Sequence, residues 1–489
     1  MAKSIDQLCL LDATAQAALV RTREVSPTEL VDAAVGALAY LDPQLNAVVL
    51  PTLERAREHA RSKNLPDGPF RGVPFLFKDL GAHLAGDPVH AGMRFLRDLA
   101  WTEPNETHLA RRLRLAGFVS LGRTNTPELG LLPTTEPIAY GPTHNPWDLA
   151  RSAGGSSGGA AAAVASGMVP VAHASDGGGS IRVPASACGL VGLKPSRGRC
   201  SFGPDLGERW AGFSVEHVLT RSIRDTAAVL DVVHGAHPGD PYAAPLPVRP
   251  FIDEVGTTPG RLRVGLLTQS PGGLPVHTDC LQAAGKAAQL LESLGHIVEQ
   301  SHPPALMSSE LSRSIVTIIA CSTARMLDTW STKTGRPITA DDVEPLTWAV
   351  SELGRRTSVV RYIGALTSIH HTARSIAEWW RTYDLLLSPT MAEPPPLLGH
   401  FASTPDDPFG AWARAIPFST FTSCFNSTGQ PALSLPLYWN DEGLPIGVQL
   451  VAQCGREDVL LRIGAQLETA HPWSARLPRI HPCSASPPR

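Results

Sequence analysis

Two glycine- and serine-rich segments carry the residue types that nucleophilic catalysis needs. Residues 154–159 read Gly-Gly-Ser-Ser-Gly-Gly, and residues 176–182 read Asp-Gly-Gly-Gly-Ser-Ile-Arg. The first run leads into an alanine-rich helix predicted over residues 158–166, so its backbone amides lie at a positive helix N-terminus. The second follows an apolar strand predicted over residues 169–174, which places Ser180 at a strand end, where the active sites of α/β folds gather. Taken singly, such runs are more often flexible turns.

Lys78 is the third candidate, because lysine is rare in this chain. Only six of the 42 Lys and Arg residues are lysine, and Lys78 follows the apolar run Val-Pro-Phe-Leu-Phe at residues 73–77. The ordinary role of such a lysine is to reach from a strand end to solvent. Burial disfavours the ammonium form, however, and lysine can lose its proton near neutral pH whereas arginine stays charged. A desolvated Lys78 could therefore act as a general base.

Two other motifs fail in their sequence context. Residues 154–159 satisfy G-x-S-x-G with Ser156 or Ser157 at the centre, a pattern typical of α/β-hydrolases. That motif needs a buried strand running into the serine, and residues 145–152 supply proline and charge there instead. Gly-Leu-Lys-Pro at residues 192–195 lacks the phosphate-binding glycine loop. The sequence thus disfavours a nucleophile elbow and gives no support for nucleotide hydrolysis.

Helices and short apolar strands alternate along the chain. Ser26 and Glu29 form a predicted capping box that begins an amphipathic helix. Further strands are predicted at residues 46–51, 73–77, 118–121 and 262–267, and further helices at residues 52–62, 109–117 and 280–294. This alternation predicts an α/β layer structure with a mixed sheet. Proline-rich residues 237–251 predict a long surface crossing, and residues 393–409 a loop over a pocket.

Composition excludes several classes of protein. With 489 residues, 43% of them apolar, and a net charge of −3, the chain is neither a disordered polymer nor an electrostatic nucleic-acid binder. Its eight cysteines are scattered without zinc-site spacing, which favours a reducing compartment. The N-terminus lacks the pattern of a signal peptide, and no apolar run approaches the length of a membrane span. We therefore expect a cytoplasmic protein with a small-molecule partner, with no direct nucleic-acid or membrane binding.

These segments together resemble the amidase signature family. The likeness includes the two glycine/serine runs, the continuation at residues 183–195, the upstream residues 72–79 and the C-terminal residues 429–432 and 443–449. It implies a central mixed, twisted sheet covered by helices on both faces. Residues 1–65 would form an N-terminal helical segment packed on the core, and residues 66–489 the catalytic domain, within one large domain overall.

The resemblance also implies a metal-free and cofactor-free amidohydrolase with a Ser/cis-Ser/Lys triad. By position, Ser180 is the nucleophile, Ser156 the bridging serine after a cis peptide, and Lys78 the base. The backbone amides of Gly177, Gly178 and Gly179 would form the oxyanion hole. The family commonly has threonine where Gly177 stands, so we expect a more mobile loop here. His173, in a predicted strand, is expected to be a core histidine.

Within that family the chain looks like amidases that act on nylon-oligomer cyclic amides. The expected substrates are small linear or cyclic amides, with esters, anilides and carbamates as additional possibilities. Substrate choice is expected to lie in residues 309–415, including Cys321, Trp330 and Trp348. A homodimer is possible. An alternative interpretation is the amidase subunit of a tRNA-dependent amidotransferase, which works only within a complex.

Overall fold

The computed structural model describes residues 5–484, so residues 1–4 of the segment inspected for a signal peptide lie outside it. The helices of the described residues are α1 (Ile5–Leu10), α2 (Ala13–Arg21), α3 (Pro27–Leu45), α4 (Leu53–Arg61), α5 (Arg94–Asp98), α6 (His108–Leu115), α7 (Gly158–Ala165), α8 (Arg182–Cys188), α9 (Ile223–Val233), α10 (Thr278–Ser293), α11 (Ser309–Thr334), α12 (Pro345–Arg355), α13 (Val359–Trp379), α14 (Gly410–Phe418), α15 (Ser423–Thr428) and α16 (Glu457–Ala470). The strands are β1 (Val48–Pro51), β2 (Pro74–Lys78), β3 (Val119–Thr124), β4 (His144–Asn145), β5 (Asp148–Ser152), β6 (Val171–Asp176), β7 (Val191–Lys194), β8 (Val215–Thr220), β9 (Arg263–Leu266), β10 (Ile297–Gln300), β11 (Leu385–Pro389), β12 (Ala432–Trp439) and β13 (Pro445–Ala452).

Eleven of these strands form one mixed sheet, as predicted. Their spatial order is β1-β3-β2-β6-β8-β7-β12-β13-β11-β9-β10. Strand β2 runs parallel to β3 and β6, and β9 runs parallel to β10 and β11. The other neighbours are antiparallel. The carboxyl ends of β2 and β6 therefore meet at one edge of the sheet.

Helices cover both faces of this sheet, which confirms the predicted fold class. Phe75 and Phe77 point to a core built with α6, α9, α10 and α16, whereas Leu76 points to the opposite core with α3, α7 and α8. This alternation follows from the two-residue period of a strand. Pro74 is the first residue of β2, where a missing ladder donor costs least.

The predicted capping box is present at the start of α3. The Ser26 hydroxyl accepts a hydrogen bond from the Glu29 amide at 3.2 Å, and the Ser26 amide donates to Glu29 Oε2 at 2.8 Å. Strand β1 pairs with β3 at an edge of the main sheet, so the first 65 residues also supply a strand. The division of the chain at residue 65 stays a prediction.

One local expectation differs from the structure. Residues 144–152 contain a hairpin, β4 and β5, where proline and charge argued against a strand. This hairpin is a separate two-stranded sheet with a partly exposed face, so the buried strand that a nucleophile elbow requires is still not what precedes Ser156. The loop at residues 393–409 lies against the hairpin: Leu398 donates to Ala150 O at 3.0 Å. None of residues 393–409 lines the cavity described below, and the place of this loop over a pocket stays a prediction.

No helix within residues 5–484 combines the length and apolar composition that crossing a bilayer requires.

Candidate active site

The sheet brings Lys78 beside the end of β6. Lys78 is the last residue of β2, and Ser175 and Asp176 close the parallel neighbour β6. Helix α7 begins two residues after Ser156 and packs on the same strands, so the first glycine/serine run reaches this edge as well. Three segments separated by up to about 100 residues thus converge at one edge of the sheet.

The Lys78 amine is surrounded by three serine hydroxyls. Its Nζ lies 2.7 Å from Ser156 Oγ, 3.0 Å from Ser157 Oγ and 3.0 Å from Ser175 Oγ. The Ser157 hydroxyl donates to the Ser175 carbonyl at 3.3 Å, so it accepts from Lys78. A neutral amine has two hydrogens and one lone pair. With the hydrogens given to Ser157 and Ser175, the lone pair faces the Ser156 hydroxyl, which is the shortest of the three contacts.

Burial favours this neutral form. Lys78 is completely buried, and desolvation lowers its pKa from 10.5 to about 7, although the nearby carboxylates of Asp176 and Glu216 oppose the change. The Arg209 guanidinium adds to the lowering of the Lys78 pKa. About half of the lysine would then be unprotonated at neutral pH, as a general base requires.

The backbone before Ser156 is tightly packed and requires glycine at residue 155. The Gly155–Ser156 peptide bond is cis, as the family resemblance implies. A Cβ at residue 155 would lie 2.3 Å from the Thr134 carbonyl oxygen, so only glycine fits. The Ser156 side chain is itself buried at 2% exposure, and it faces Lys78 on one side and Gly130 on the other.

Ser180 lines a cavity of about 340 Å³ together with Gly155, Gly178 and Gly179. Among the described residues no hydrogen bond joins Ser180 Oγ to Ser156 Oγ, and catalytic hydrogen bonds of this kind often form only when substrate is bound. The remaining wall is mainly apolar and includes Leu131, Leu132, Val183, Trp210, Ile315, Val316, Ile319 and Trp412. The structure therefore places the predicted nucleophile on an apolar cavity that Gly155, the residue before Ser156, also lines, and it places Lys78 in contact with Ser156.

The glycine loop before Ser180 is built around a buried ion pair. The Asp176 carboxylate accepts from the amides of Gly179 at 2.7 Å and Ile181 at 3.1 Å. It also pairs with Arg182 at 2.9 Å, with both side chains fully buried. Burial alone would raise the Asp176 pKa, but the Arg182 guanidinium holds that pKa well below its usual range. Asp176 is thus an anion that fixes the turn at its base.

The Asp176 contact changes the expected oxyanion hole. The Gly179 amide, predicted to be one of its donors, is already bonded to Asp176. Among the described residues, the amides of Gly177, Gly178 and Ser180 have no protein acceptor. Thr422 Oγ1 donates to the Gly178 carbonyl at 2.6 Å, which orients that peptide.

Most of the residues that hold this loop were not predicted from the sequence. The Arg182 guanidinium donates to Asn426 Oδ1 at 2.6 Å and to Gln449 Oε1 at 2.7 Å. The Asn426 amide donates in turn to Asp176 Oδ1 at 2.8 Å. Gln449 stands in a C-terminal segment that carries the family resemblance, but nothing in the sequence marked Asn426.

Of the other predictions about single residues, the one for His173 is confirmed and the one for Cys321, Trp330 and Trp348 is wrong. His173 is a buried residue of β6 whose Nδ1 accepts from the Lys78 amide at 3.3 Å, as expected of a core histidine. Residues 309–415 contribute α11, α13 and α14 to the cavity, but Cys321, Trp330 and Trp348 do not line it. Those three side chains face the packing between α11, α12 and neighbouring segments instead.

A second buried lysine shows that burial alone does not define the site. Lys194 is fully buried, and desolvation lowers its pKa to about 7 as well. Its Nζ donates to the Pro195 carbonyl at 3.0 Å, and this residue does not line the cavity. The serine hydroxyls around Lys78 are therefore the distinguishing feature. Within the described residues, no group of three or more His, Cys, Asp and Glu side chains is placed to hold a metal ion.

Comparison with known proteins agrees with this arrangement. The family model described as Amidase matches residues 29–461. A 6-aminohexanoate-cyclic-dimer hydrolase of Paenarthrobacter ureafaciens is 43% identical over 478 residues, which cover 96% of each chain. The solved structure of a 6-aminohexanoate cyclic dimer hydrolase complexed with substrate superposes with a TM-score of 0.93 at 41% identity, covering 96% of this chain and 99% of that one. A glutamyl-tRNA(Gln) amidotransferase component from Thermotoga maritima is more distant, with a TM-score of 0.75 at 24% identity over 96% of this chain and 95% of that one, and it shares the fold alone.

The family match and these relatives show a hydrolase that acts on carbon–nitrogen bonds other than peptide bonds. The chain belongs to the amidase family, in the amidase signature group.

Proposed function

We propose that this amidohydrolase works through an acyl-enzyme on Ser180, with Ser156 and Lys78 as its proton relay. The observation that carries the proposal is the buried Lys78 amine, 2.7 Å from the Oγ of Ser156, whose neighbour Gly155 lines the same cavity as Ser180. An amine held neutral by desolvation can accept a proton, and its distance from Ser156 Oγ supports the Ser156 hydroxyl as the donor of that proton.

In the proposed first step, Ser180 Oγ attacks the amide carbonyl carbon while its proton passes to Ser156 Oγ and the Ser156 proton passes to Lys78 Nζ. The carbonyl oxygen becomes an oxyanion, and the amides of Gly177, Gly178 and Ser180 are its proposed donors. Loss of one such donor typically costs about 3–4 kcal/mol of transition-state stabilisation. The relay then runs in reverse: the leaving nitrogen takes a proton, the C–N bond breaks, and the acyl group stays on Ser180. Water attacks this ester and releases the carboxylic acid.

The proposed substrates are small linear or cyclic amides with aliphatic chains on one or both sides of the scissile bond. The cavity wall is dominated by Leu, Ile, Val and Trp side chains, and burial of each methylene group contributes about 0.8 kcal/mol. The relatives named for hydrolysis of the cyclic dimer of 6-aminohexanoate support a cyclic oligoamide of this kind. Esters, anilides and carbamates present the same carbonyl to Ser180 and stay proposed additional substrates.

Location, assembly and domain division are proposed on narrower grounds. Among the described residues, Cys188, Cys200, Cys280, Cys321, Cys424 and Cys454 form no disulfide, which supports a reducing, cytoplasmic location. A homodimer and a division of the chain at residue 65 stay predictions.

The test is hydrolysis of the 6-aminohexanoate cyclic dimer by the purified protein, followed by the release of free amine. We expect Ser180→Ala to lose at least about 10³-fold in kcat, while Ser293→Ala, an exposed serine at the end of α10, keeps wild-type activity. Activity of the protein without partner subunits would also decide against the amidotransferase alternative. Full activity of Ser180→Ala would contradict the acyl-enzyme.

A further inference from the structure

The glycine loop next to the nucleophile lies against an aromatic side chain from a distant segment. A Cβ placed on Gly177 would meet Trp210 Cε3 at 2.9 Å and Cζ3 at 3.0 Å. These distances are shorter than an ordinary van der Waals contact. The ring of Trp210 therefore occupies the space that a side chain at residue 177 would need, which accounts for glycine at the position where the family commonly has threonine.

Trp210 also faces the cavity. It lines the same cavity as Gly178, Gly179 and Ser180. One indole thus contacts the loop that supplies the proposed oxyanion donors and forms part of the cavity wall. The expectation that Gly177 makes this loop more mobile does not take account of this support.

The backbone that presents Trp210 is held in an uncommon conformation. Trp210, Ala211 and Gly212 have φ angles of +55°, +54° and +78°, and a bulky residue seldom adopts the left-handed region. Such conformations persist where the surroundings fix them, and they cluster at functional sites. Here the Gly212 amide donates to Glu208 Oε2 at 2.6 Å, and Arg197 Nε donates to the Gly212 carbonyl at 2.7 Å.

The same network joins this turn to the glycine loop. Asn426 Nδ2 donates to the Phe213 carbonyl at 3.1 Å, three residues after Trp210, and to the Asp176 carboxylate at 2.8 Å. One amide group therefore fixes the Trp210 turn relative to the base of the glycine loop. Because Asn426 bonds to both segments, it helps to set the distance between the Trp210 indole and Gly177.

We propose that Trp210 is a positioning and specificity-determining residue: its indole replaces a side chain at Gly177, holds the oxyanion loop in place and restricts the acyl group beside Ser180 to an unbranched methylene chain. This inference rests on the proposed function, because it assigns the acyl side of that reaction. It specifies a substrate class, amides whose carbonyl carbon carries a CH₂ group, more narrowly than the apolar cavity alone.

The test is a double-mutant cycle between Gly177→Ala and Trp210→Ala. The substrates are hexanoyl-4-nitroanilide and its 2-ethyl-branched analogue, which differ only next to the carbonyl. We expect Gly177→Ala alone to lower kcat at least tenfold with little change in KM, because the added methyl group displaces the loop from the indole. In the Trp210→Ala background, the same substitution should change kcat less than threefold. Trp210→Ala should raise the branched-to-unbranched ratio of kcat/KM at least tenfold.

A matched control uses the other tryptophan of the cavity wall. Trp412 donates its indole N–H to the Leu131 carbonyl at 3.1 Å and is not among the neighbours of Gly177. In a Trp412→Ala background, Gly177→Ala should therefore be as damaging as in the wild type. Equal effects of Gly177→Ala in the Trp210→Ala and Trp412→Ala backgrounds would overturn the inference, as would an unchanged branched-to-unbranched ratio.

Two further measurements distinguish a misfolded variant from a failure of the proposed function or of the inference about Trp210. Trp210→Leu retains an apolar side chain and replaces Trp210→Ala if the latter does not fold, as judged by circular dichroism and the thermal midpoint. The rate at which a fluorophosphonate labels Ser180 gives the same cycle without amide turnover. A wild-type protein that hydrolyses no amide would contradict the proposed function. If Gly177→Ala changes the labelling rate by the same factor with and without Trp210, the two residues act independently and the role of Trp210 is contradicted.

Discussion

The charge state of Lys78 gives the most direct test of the proposed chemistry. With a pKa of about 7, about half of this side chain is neutral at pH 7, whereas an ordinary lysine with a pKa of 10.5 is neutral in about three molecules of ten thousand. The ratio is about 1,500-fold. If neutral Lys78 accepts the Ser156 proton, kcat/KM should rise about tenfold per pH unit below pH 6, pass its midpoint near pH 7 and level off above pH 8.

Two substitutions should move this midpoint in opposite directions. The Glu216 carboxylate favours the ammonium form of Lys78, so Glu216→Gln should lower the pKa of Lys78 and shift the midpoint to lower pH. The Arg209 guanidinium disfavours that form, so Arg209→Gln should shift the midpoint to higher pH. Glu292→Gln, on the exposed face of α10, is the matched control and should leave the midpoint in place.

The assay is kcat/KM between pH 5 and 10, because this parameter reports the free enzyme and does not depend on product release. Salt concentration and buffer ionic strength are held constant so that screening does not shift the profile. A profile that is flat from pH 6 to 9, or a midpoint above pH 9, would refute a desolvated lysine base. Shifts of the same sign in Glu216→Gln and Arg209→Gln would refute the electrostatic reasoning.

Two predictions concern stability. Asp176→Asn should destabilise the protein by about 3–5 kcal/mol, because it leaves the buried Arg182 without its counter-ion. Asp32→Asn, at an exposed pair with Arg57, is the control and should cost less than about 1 kcal/mol. Urea unfolding midpoints measure both losses of stability, and similar losses in the two variants would contradict the prediction for Asp176. Burial raises the pKa of Glu344 to about 7, so the folded chain binds this proton more tightly than the unfolded chain, and stability falls as pH rises from about 4.5 through 7. Glu344→Gln should then raise the thermal midpoint at pH 8 and leave it little changed at pH 4.5, and equal effects at both pH values would show that Glu344 is not the titrating group.

Local patterns in the sequence were sufficient for the individual elements and for naming one lysine and two serines as candidates, whereas the roles of these residues were implied by the family resemblance. The capping box at Ser26, the apolar run before Lys78 and the glycine/serine runs are short segments whose structure depends on near neighbours. One local prediction, the absence of a strand at residues 145–152, was wrong for a related reason. The hairpin at residues 144–152 and the loop at residues 393–409 support each other, and this pairing across about 250 residues leaves no periodic signal in either segment.

The sequence by itself determined which residues could do chemistry here: one lysine at a strand end, and two serines among glycines. It could not show that Lys194 is buried as fully as Lys78, or that the folded sheet surrounds the Lys78 amine with hydroxyl groups. Nor could it show that Arg182 meets Asn426 and Gln449, 244 and 267 residues further along the chain. Burial and hydrogen-bond geometry arise from packing distant segments together, so the chemistry of Lys78 and the shape of the cavity were decided by the tertiary structure alone.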